Sequence, residues 1–268
     1  MSERIGIIGG GTMGEAITSG LLKAGQYSRN QLFLYDPHLE KRMYMKEQYN
    51  IQIVSNNIEL VKSVDVIILA IKPYAFDALF QEIQPVLAES QLLISIAAGM
   101  TIKKIESFTS NQMKIARTMP NTASRIREGI TGYTMNKNCT RKEEVILLNI
   151  LSSIGSAIKL KEAQFDVFTS ICASSPAFLY YFIEALSSVG EEEGLTKEES
   201  YMVVAKAMKG AALMILNTMT EPSLLRDKVC TKGGTTIEGI KVLEENHFYD
   251  ILREAAIKTA LRSKELSK

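Results

Sequence analysis

The sequence predicts an α/β protein, with a doubly wound parallel sheet followed by an all-helical domain. Three observations carry that reading. Short apolar runs alternate with helical patterns from Ile5 to Arg117. The runs are nearly continuous in Ile, Val and Leu, as strands buried on both faces require. After about residue 160 the strand-like runs stop and long helical periodicities replace them. The expected domains are therefore 1–160 and 161–268.

Each element follows from its local pattern. Ile5-Gly6-Ile7-Ile8 reads as a buried strand. Residues 12–25 put Met13, Ala16, Ile17 and Leu21 at helical spacing, with Gly25 placed to end the helix. Leu32–Tyr35 is a second strand, followed by a charged helix near 38–48. Ile51–Val54 is a third strand and Val64–Leu69 a fourth, after which Pro73 opens a helix. Leu92–Ile96 is a fifth and Met113–Arg117 a sixth. In the helical part, Ser175 suits an N-cap and Pro176 a first turn, for a helix ending at Gly190 or Gly194. Thr196 and Glu199 form a capping-box pattern ahead of a helix reaching about residue 219. Its stretch Ala205–Leu216 is apolar on most faces, which predicts deep burial such as a subunit interface provides.

Composition excludes several classes. Lys and Arg total 31 against 30 Asp and Glu, a net charge of +1, which argues against a nucleic-acid surface spread over the chain. No apolar run approaches the ~18 residues of a membrane span. The start Met1-Ser2-Glu3-Arg4 leads directly into a strand, without the succession of a signal peptide, so a cytoplasmic location is expected. Cys139, Cys172 and Cys230 are scattered, no CxxC occurs and only His38 and His247 are present, so no metal site is expected.

Gly9-Gly10-Gly11-Thr12-Met13-Gly14 fits G-x-G-x-x-G between a strand and a helix, the context of a Rossmann-type dinucleotide site. Gly9 permits the tight turn, Gly11 lets backbone approach a pyrophosphate, and Gly14 permits close helix–strand packing. The helix start at Thr12 and Met13 offers amides to phosphate. Asp36 closes the second strand at the ~20-residue spacing of an acid that bonds the ribose 2′-hydroxyl. Its carboxylate favours NADH; Lys41 and Arg42 in the following helix could offset that preference, although solvated helix charges explain the two residues better. NADPH and NADH both remain open.

The stretch Thr231-Lys232-Gly233-Gly234-Thr235-Thr236 reads as a glycine-rich loop entering a helix near Thr236. Bare amides and a helix N-terminus suit a carboxylate as well as a phosphate. A capped turn between two helices has the same pattern.

Taken together, IGIIGGGTMGE (5–15), LAIKP (69–73), SIAAG (95–99), RTMPNT (117–122), FIEAL (182–186) and above all LRDKVCTKGGTTIEGIKVLE (225–244) resemble the pyrroline-5-carboxylate reductases. The resemblance runs along the whole chain. It implies a Rossmann domain followed by a helical dimerisation domain, in homodimers that can assemble into larger rings. It implies reduction of a cyclic imine to L-proline by NADPH or NADH. Ala70, Ile71, Lys72 and Pro73, at the end of the fourth strand, and Ala97 and Ala98, at the end of the fifth, then contact the cofactor, where ligands of open α/β sheets bind. Asn57 matches a position contacting the adenosine part, although helix capping explains it equally well. Asn121 falls beside the nicotinamide and substrate. Thr231, Gly233 and the amides of Gly234 and Thr235 receive the substrate carboxylate. Thr236 bonds the ring nitrogen and is the candidate catalytic residue.

Four departures from the family pattern bear on the substrate pocket. Ala173 and Ser175 stand where the family often has glycine, which adds Cβ atoms and disfavours a positive φ. Lys232 and Ala123 replace common prolines. Two other readings compete. One is a reductase of a related imine or of a β-hydroxy acid, although Lys206 and Lys209 do not match the catalytic-lysine pattern of the latter. The other is a nucleotide-binding regulatory paralogue.

Overall fold

The computed structural model describes residues 3–266, so Met1 and Ser2 of the N-terminal reading lie outside the described residues. Strand β1 (Ile5–Ile8) is buried along its whole length. Its neighbours β2 (Leu32–Tyr35) and β4 (Val66–Leu69) run parallel to it. Strands β3 (Gln52–Ile53), β5 (Leu92–Ser95) and β6 (Lys114–Met119) extend the parallel sheet on its two sides. With β7 (Gly129–Met135) and β8 (Gly155–Lys159), the strand order is β3-β2-β1-β4-β5-β6-β7-β8. The chain therefore starts mid-sheet and reverses direction between β1 and β4, the crevice where doubly wound folds bind ligands.

Helices cover both faces because side chains alternate along each strand. Ile5, Ile7, Leu32, Leu34, Val66 and Ile68 pack with Ile17 and Leu21 of α1 (Thr12–Lys23), Met45 of α2 (Leu39–Tyr49) and Leu147 and Ile150 of α6 (Arg141–Ser152). Ile8, Ile67, Leu69 and Leu93 face the other way. They meet Leu60 of α3 (Asn57–Ser63), Phe76 and Phe80 of α4 (Phe76–Ile83) and Ile105 of α5 (Ile102–Glu106).

Two strands were not foreseen. β7 (Gly129–Met135) runs antiparallel to β6, and β8 (Gly155–Lys159) runs parallel to β7. The sheet is otherwise parallel, as expected, and the β6–β7 pair is its antiparallel exception. The short connection 120–128 lacks the length of a crossover helix, so the chain turns back on itself. α6 then supplies a crossover to β8.

By contacts the chain divides into residues 1–173 with 259–268, and residues 174–258. The first unit reaches beyond the expected boundary near 160 because the segment after β8 is fastened to the sheet. The Arg117 guanidinium, 5% exposed, lies 3.1 Å from Glu162 and 4.3 Å above the Phe165 ring. Glu162 also accepts the Ile102 N–H at 2.7 Å. Phe165 and Phe168 of α7 (Phe165–Phe168) are buried. Late in the chain, Ser263 of α12 (Phe248–Leu266) donates to Asp166 at 2.7 Å.

The second unit is helical. α8 (Ser175–Glu192) packs against α9 (Lys197–Thr218) across a turn in which Gly194 takes φ +97°. Ser175 does not cap α8 as expected. A π-helical turn (Thr169–Ser174) runs directly into the helix, and Ser174, in helical backbone, caps nothing. Thr196 does cap α9, in a reciprocal box with Glu199. α10 (Pro222–Val229) and α11 (Thr235–Glu245) follow. In the single chain α9 stays open, with Leu216 69% exposed, which leaves its burial to a subunit interface.

Candidate active site

The glycine loop joins β1 to α1. Gly9 has φ +110°, and a Cβ there would stand 2.4 Å from the Ala70 carbonyl oxygen at the end of β4. A Cβ on Gly14 would stand 2.1 Å from the Gly9 oxygen, so α1 starts against the turn only because Gly14 lacks one. At Gly11 the situation is opposite. It is the N-cap of α1, no side chain caps the helix there, and an added Cβ would meet nothing within 4 Å. The α1 amides at Thr12 and Met13 thus open onto space that a phosphate group fits.

The Asp36 carboxylate, 5% exposed, closes this loop from β2. Its Oδ2 accepts the Gly10 N–H at 2.9 Å and lies 3.6 Å from Lys41 Nζ. Its Oδ1 accepts the His38 N–H at 2.9 Å and sits 2.8 Å from the His38 ring Nδ1. Burial pushes the Asp36 carboxyl up, but the hydrogen bonds from His38 and Gly10 and the Lys41 charge outweigh it and hold it below the usual range. His38 was not singled out from sequence. Its signal is the Asx turn, in which an Asp side chain takes the amide two residues on.

The other cofactor positions lie at adjoining strand ends. Ala70 and Ile71 follow β4, and Lys72 and Pro73 begin the 3₁₀ turn Pro73–Ala75. Ala97, 5% exposed, faces the core, so only its backbone can touch a ligand, while Ala98 is exposed. Asn57 does not cap α3. Its neighbour Asn56 does, accepting the Glu59 N–H at 2.8 Å. Asn57 instead donates to Glu82 at 2.7 Å and keeps a buried Oδ1 without a partner.

Asn121 follows β6 as the N-cap of the 3₁₀ turn Thr122–Ile126, which holds Ala123. Its side chain hydrogen-bonds the Cys172 thiol, and its Oδ1 is buried without a partner. Burial pushes that thiol up, so Cys172 is not a reactive thiolate. Ala173 lies in the π-helical turn and Ser175 opens α8. Neither has a positive φ, so the added Cβ atoms cost no backbone strain, contrary to expectation.

The glycine-rich loop of the second unit links α10 to α11. Gly233 takes φ +74° and Gly234 is the N-cap, with no side chain capping α11. The Gly234 N–H donates to the Thr231 carbonyl at 3.0 Å, closing the turn. That corrects one expectation, since this amide is not available to a carboxylate. A Cβ on Gly234 would stand 2.6 Å from Thr231 Oγ1. Thr231, Thr235 and Thr236 are exposed in the single chain, and the helix begins at Thr235. Among the described residues no group of three or more His, Cys, Asp or Glu could hold a metal ion.

Comparison with known proteins agrees along the whole chain. The family model for pyrroline-5-carboxylate reductase dimerisation matches residues 162–266. That for coenzyme F420-dependent NADP oxidoreductases matches residues 4–99. The pyrroline-5-carboxylate reductase of Escherichia coli is 35% identical over 268 residues, covering 100% of both chains. A solved pyrroline-5-carboxylate reductase from Coxiella burnetii superposes with a TM-score of 0.92 at 32% identity over 100% of both chains. The Plasmodium falciparum pyrroline carboxylate reductase with NADP bound gives 0.91 at 31% identity, over 100% of this chain and 99% of that one.

Proposed function

The chain belongs to the pyrroline-5-carboxylate reductase family, and from that premise we propose how its residues divide the reaction. The enzyme reduces the ring C=N bond of pyrroline-5-carboxylate with NADPH or NADH, giving L-proline. Gly9, Gly11, Thr12, Met13 and Gly14 hold the pyrophosphate, and Asp36 fixes their loop. Ala70, Ile71, Lys72, Pro73, Ala97 and Ala98 border the nicotinamide side, and Asn57 the adenosine side. Bound there, the dinucleotide supplies the hydride.

A protonated cyclic imine is already electrophilic, so the protein contributes mainly position and charge. The Thr231 hydroxyl and the uncapped amide of Thr235 receive the substrate carboxylate. Gly233 and Gly234 keep the approach free of side chains. The Thr236 hydroxyl bonds the ring nitrogen and is the catalytic residue, and Asn121 lines the substrate side. The observation that carries the reading is the uncapped start of α11 directly after Gly233-Gly234. Open amides at a helix start, reached past two residues without side chains, suit a carboxylate.

The chain carries the family's dimerisation region and leaves the apolar faces of α8 and α9 open, as an oligomer requires. We place the assembly at a homodimer that builds larger rings, and the enzyme in the cytoplasm. None of the described helices is long and apolar enough to cross a membrane.

The test is incubation of the purified protein with pyrroline-5-carboxylate and NADPH, with proline followed by chromatography. Proline in step with cofactor oxidation is expected. A bound dinucleotide without proline would overturn the substrate assignment and point to a related imine.

A further inference from the structure

The chain just past β6 carries a buried acceptor that the fold itself does not use. Asn121 stands two residues beyond Met119, the end of β6, and its Oδ1 is buried without a partner among the described residues. A second segment sets the direction of that amide. The β6–β7 pairing stops at Met119 opposite Gly132, two residues short of Ile130. Gly132 lets the segment after β8 lie against β7, since a Cβ there would stand 2.9 Å from the Phe168 ring. The π-helical turn Thr169–Ser174 follows, and such turns recur at functional sites. It brings Cys172, 8% exposed, to the Ile130 carbonyl, with Sγ and oxygen 3.6 Å apart.

These contacts leave one orientation for the Asn121 side chain. A thiol has a single S–H, and Cys172 gives it to the Ile130 carbonyl. The hydrogen bond between Asn121 and Cys172 therefore runs from the amide N–H to sulfur. Burial pushes the thiol up, so its proton stays in place near neutral pH. With Nδ2 spent on sulfur, Oδ1 points away from Cys172. A buried amide oxygen with nothing to bond is costly, and an arriving N–H satisfies it. The substrate assigned to this site carries such a group, the protonated ring nitrogen of the cyclic imine. An amide oxygen accepts that N–H and, unlike a carboxylate, does not take the proton.

We propose that Cys172 is a positioning residue of the reduction, which holds the Asn121 amide so that Oδ1 accepts the N–H of the bound imine. In this arrangement Cys172 acts only through Asn121. Thr236 keeps its own part. As hydride reaches the ring carbon, the C=N electron pair moves to nitrogen, and the Thr236 O–H donates to the lone pair that forms. The proposal rests on the substrate reading given above.

Steady-state kinetics with pyrroline-5-carboxylate and NADPH test it. Cys172→Ala should raise KM for the imine and lower kcat/KM about tenfold, a factor worth ~1.4 kcal/mol, while KM for NADPH holds. Cys172→Ser keeps a donor and an acceptor, so it should stay within about threefold of the wild type. Asn121→Ala should lose at least as much as Cys172→Ala. Adding Cys172→Ala to that variant should cost nothing further, the mark of a residue that acts through its neighbour. Cys172→Val keeps the buried volume without the hydrogen bonds, and the same loss there covers the case of a poorly packed alanine variant. Wild-type kinetics in Cys172→Ala, a loss that serine does not restore, additive losses in the double variant, or a rise in KM for NADPH alone would overturn the proposal. A wild type that does not reduce pyrroline-5-carboxylate would overturn the substrate reading and this proposal with it. Full turnover in the wild type beside an indifferent Cys172→Ala overturns this proposal only.

Discussion

The Gly10 N–H donates to Asp36 Oδ2 at 2.9 Å, which ties the loop after β1 to the end of β2. The bond holds the middle glycine still while its neighbours present their amides. Asp36→Ala leaves that donor without its acceptor, at a cost of about 1–3 kcal/mol. NADPH affinity is expected to fall about tenfold or more, read by quenching of intrinsic fluorescence. Asp36→Asn keeps an acceptor for the Gly10 N–H and should lose less. Equal losses in the two variants would show that the charge, not the bond, matters.

Gly14→Ala tests the close approach of α1 to the loop. The new Cβ would stand 2.1 Å from the Gly9 oxygen, so the loop must shift. Overpacking of this kind costs roughly 1–3 kcal/mol. The variant should lose the thermal stabilisation that NADPH gives the wild type. An unchanged ligand-induced rise in Tm would refute the cradle.

Acid should weaken the first unit through Glu143. Burial pushes this carboxyl up, but Lys114 Nζ at 2.7 Å and the bonds to Thr140 outweigh it and hold it at about 2, against an ordinary 4.5. A folded value below the unfolded one stabilises above the unfolded value and is lost as pH falls through the folded one. The contribution is therefore present above about pH 4.5 and fades towards pH 2. Urea unfolding of Glu143→Gln should differ from wild type near neutrality and converge with it towards pH 2. A constant difference across that range would contradict the linkage.

Leu213, 42% exposed, and Met214, 51% exposed, belong to the open apolar surface of α9. Changing both to Glu should weaken self-association about thirtyfold or more, as the loss of ~2 kcal/mol at an interface anchor implies. Light scattering against concentration reads the effect. A wild type that stays monomeric would refute the interface.

The sequence made the parallel half of the sheet legible because its strands are buried on both faces and carry unbroken apolar runs. β7 and β8 escaped for the opposite reason. Gly129, Gly132 and Gly155 interrupt them, and β8 holds only two apolar residues, Ala157 and Ile158. The glycine loop was readable because its spacing states a steric need, which Gly9 and Gly14 display. Hydrogen-bond allocation was not readable. Spacing does not say that Asn56 rather than Asn57 caps α3, that Gly234 spends its amide on Thr231, or that the Asp36 oxygens are already taken. Apolar composition did mark α9 for burial, and since the helix is open in the single chain that burial falls to a subunit interface, as the sequence suggested.

The central claim is that Thr236 serves the imine while the glycine loop holds the dinucleotide. The most direct measurement is kcat/KM for pyrroline-5-carboxylate in wild type and Thr236→Ala, with NADPH affinity measured beside it. A lost hydrogen bond to a charged ring nitrogen is worth about 1.5–3 kcal/mol, so the variant should lose roughly tenfold to a hundredfold in kcat/KM. NADPH affinity should not change. A variant that turns over like the wild type, or one that loses NADPH binding in the same proportion, would contradict the account.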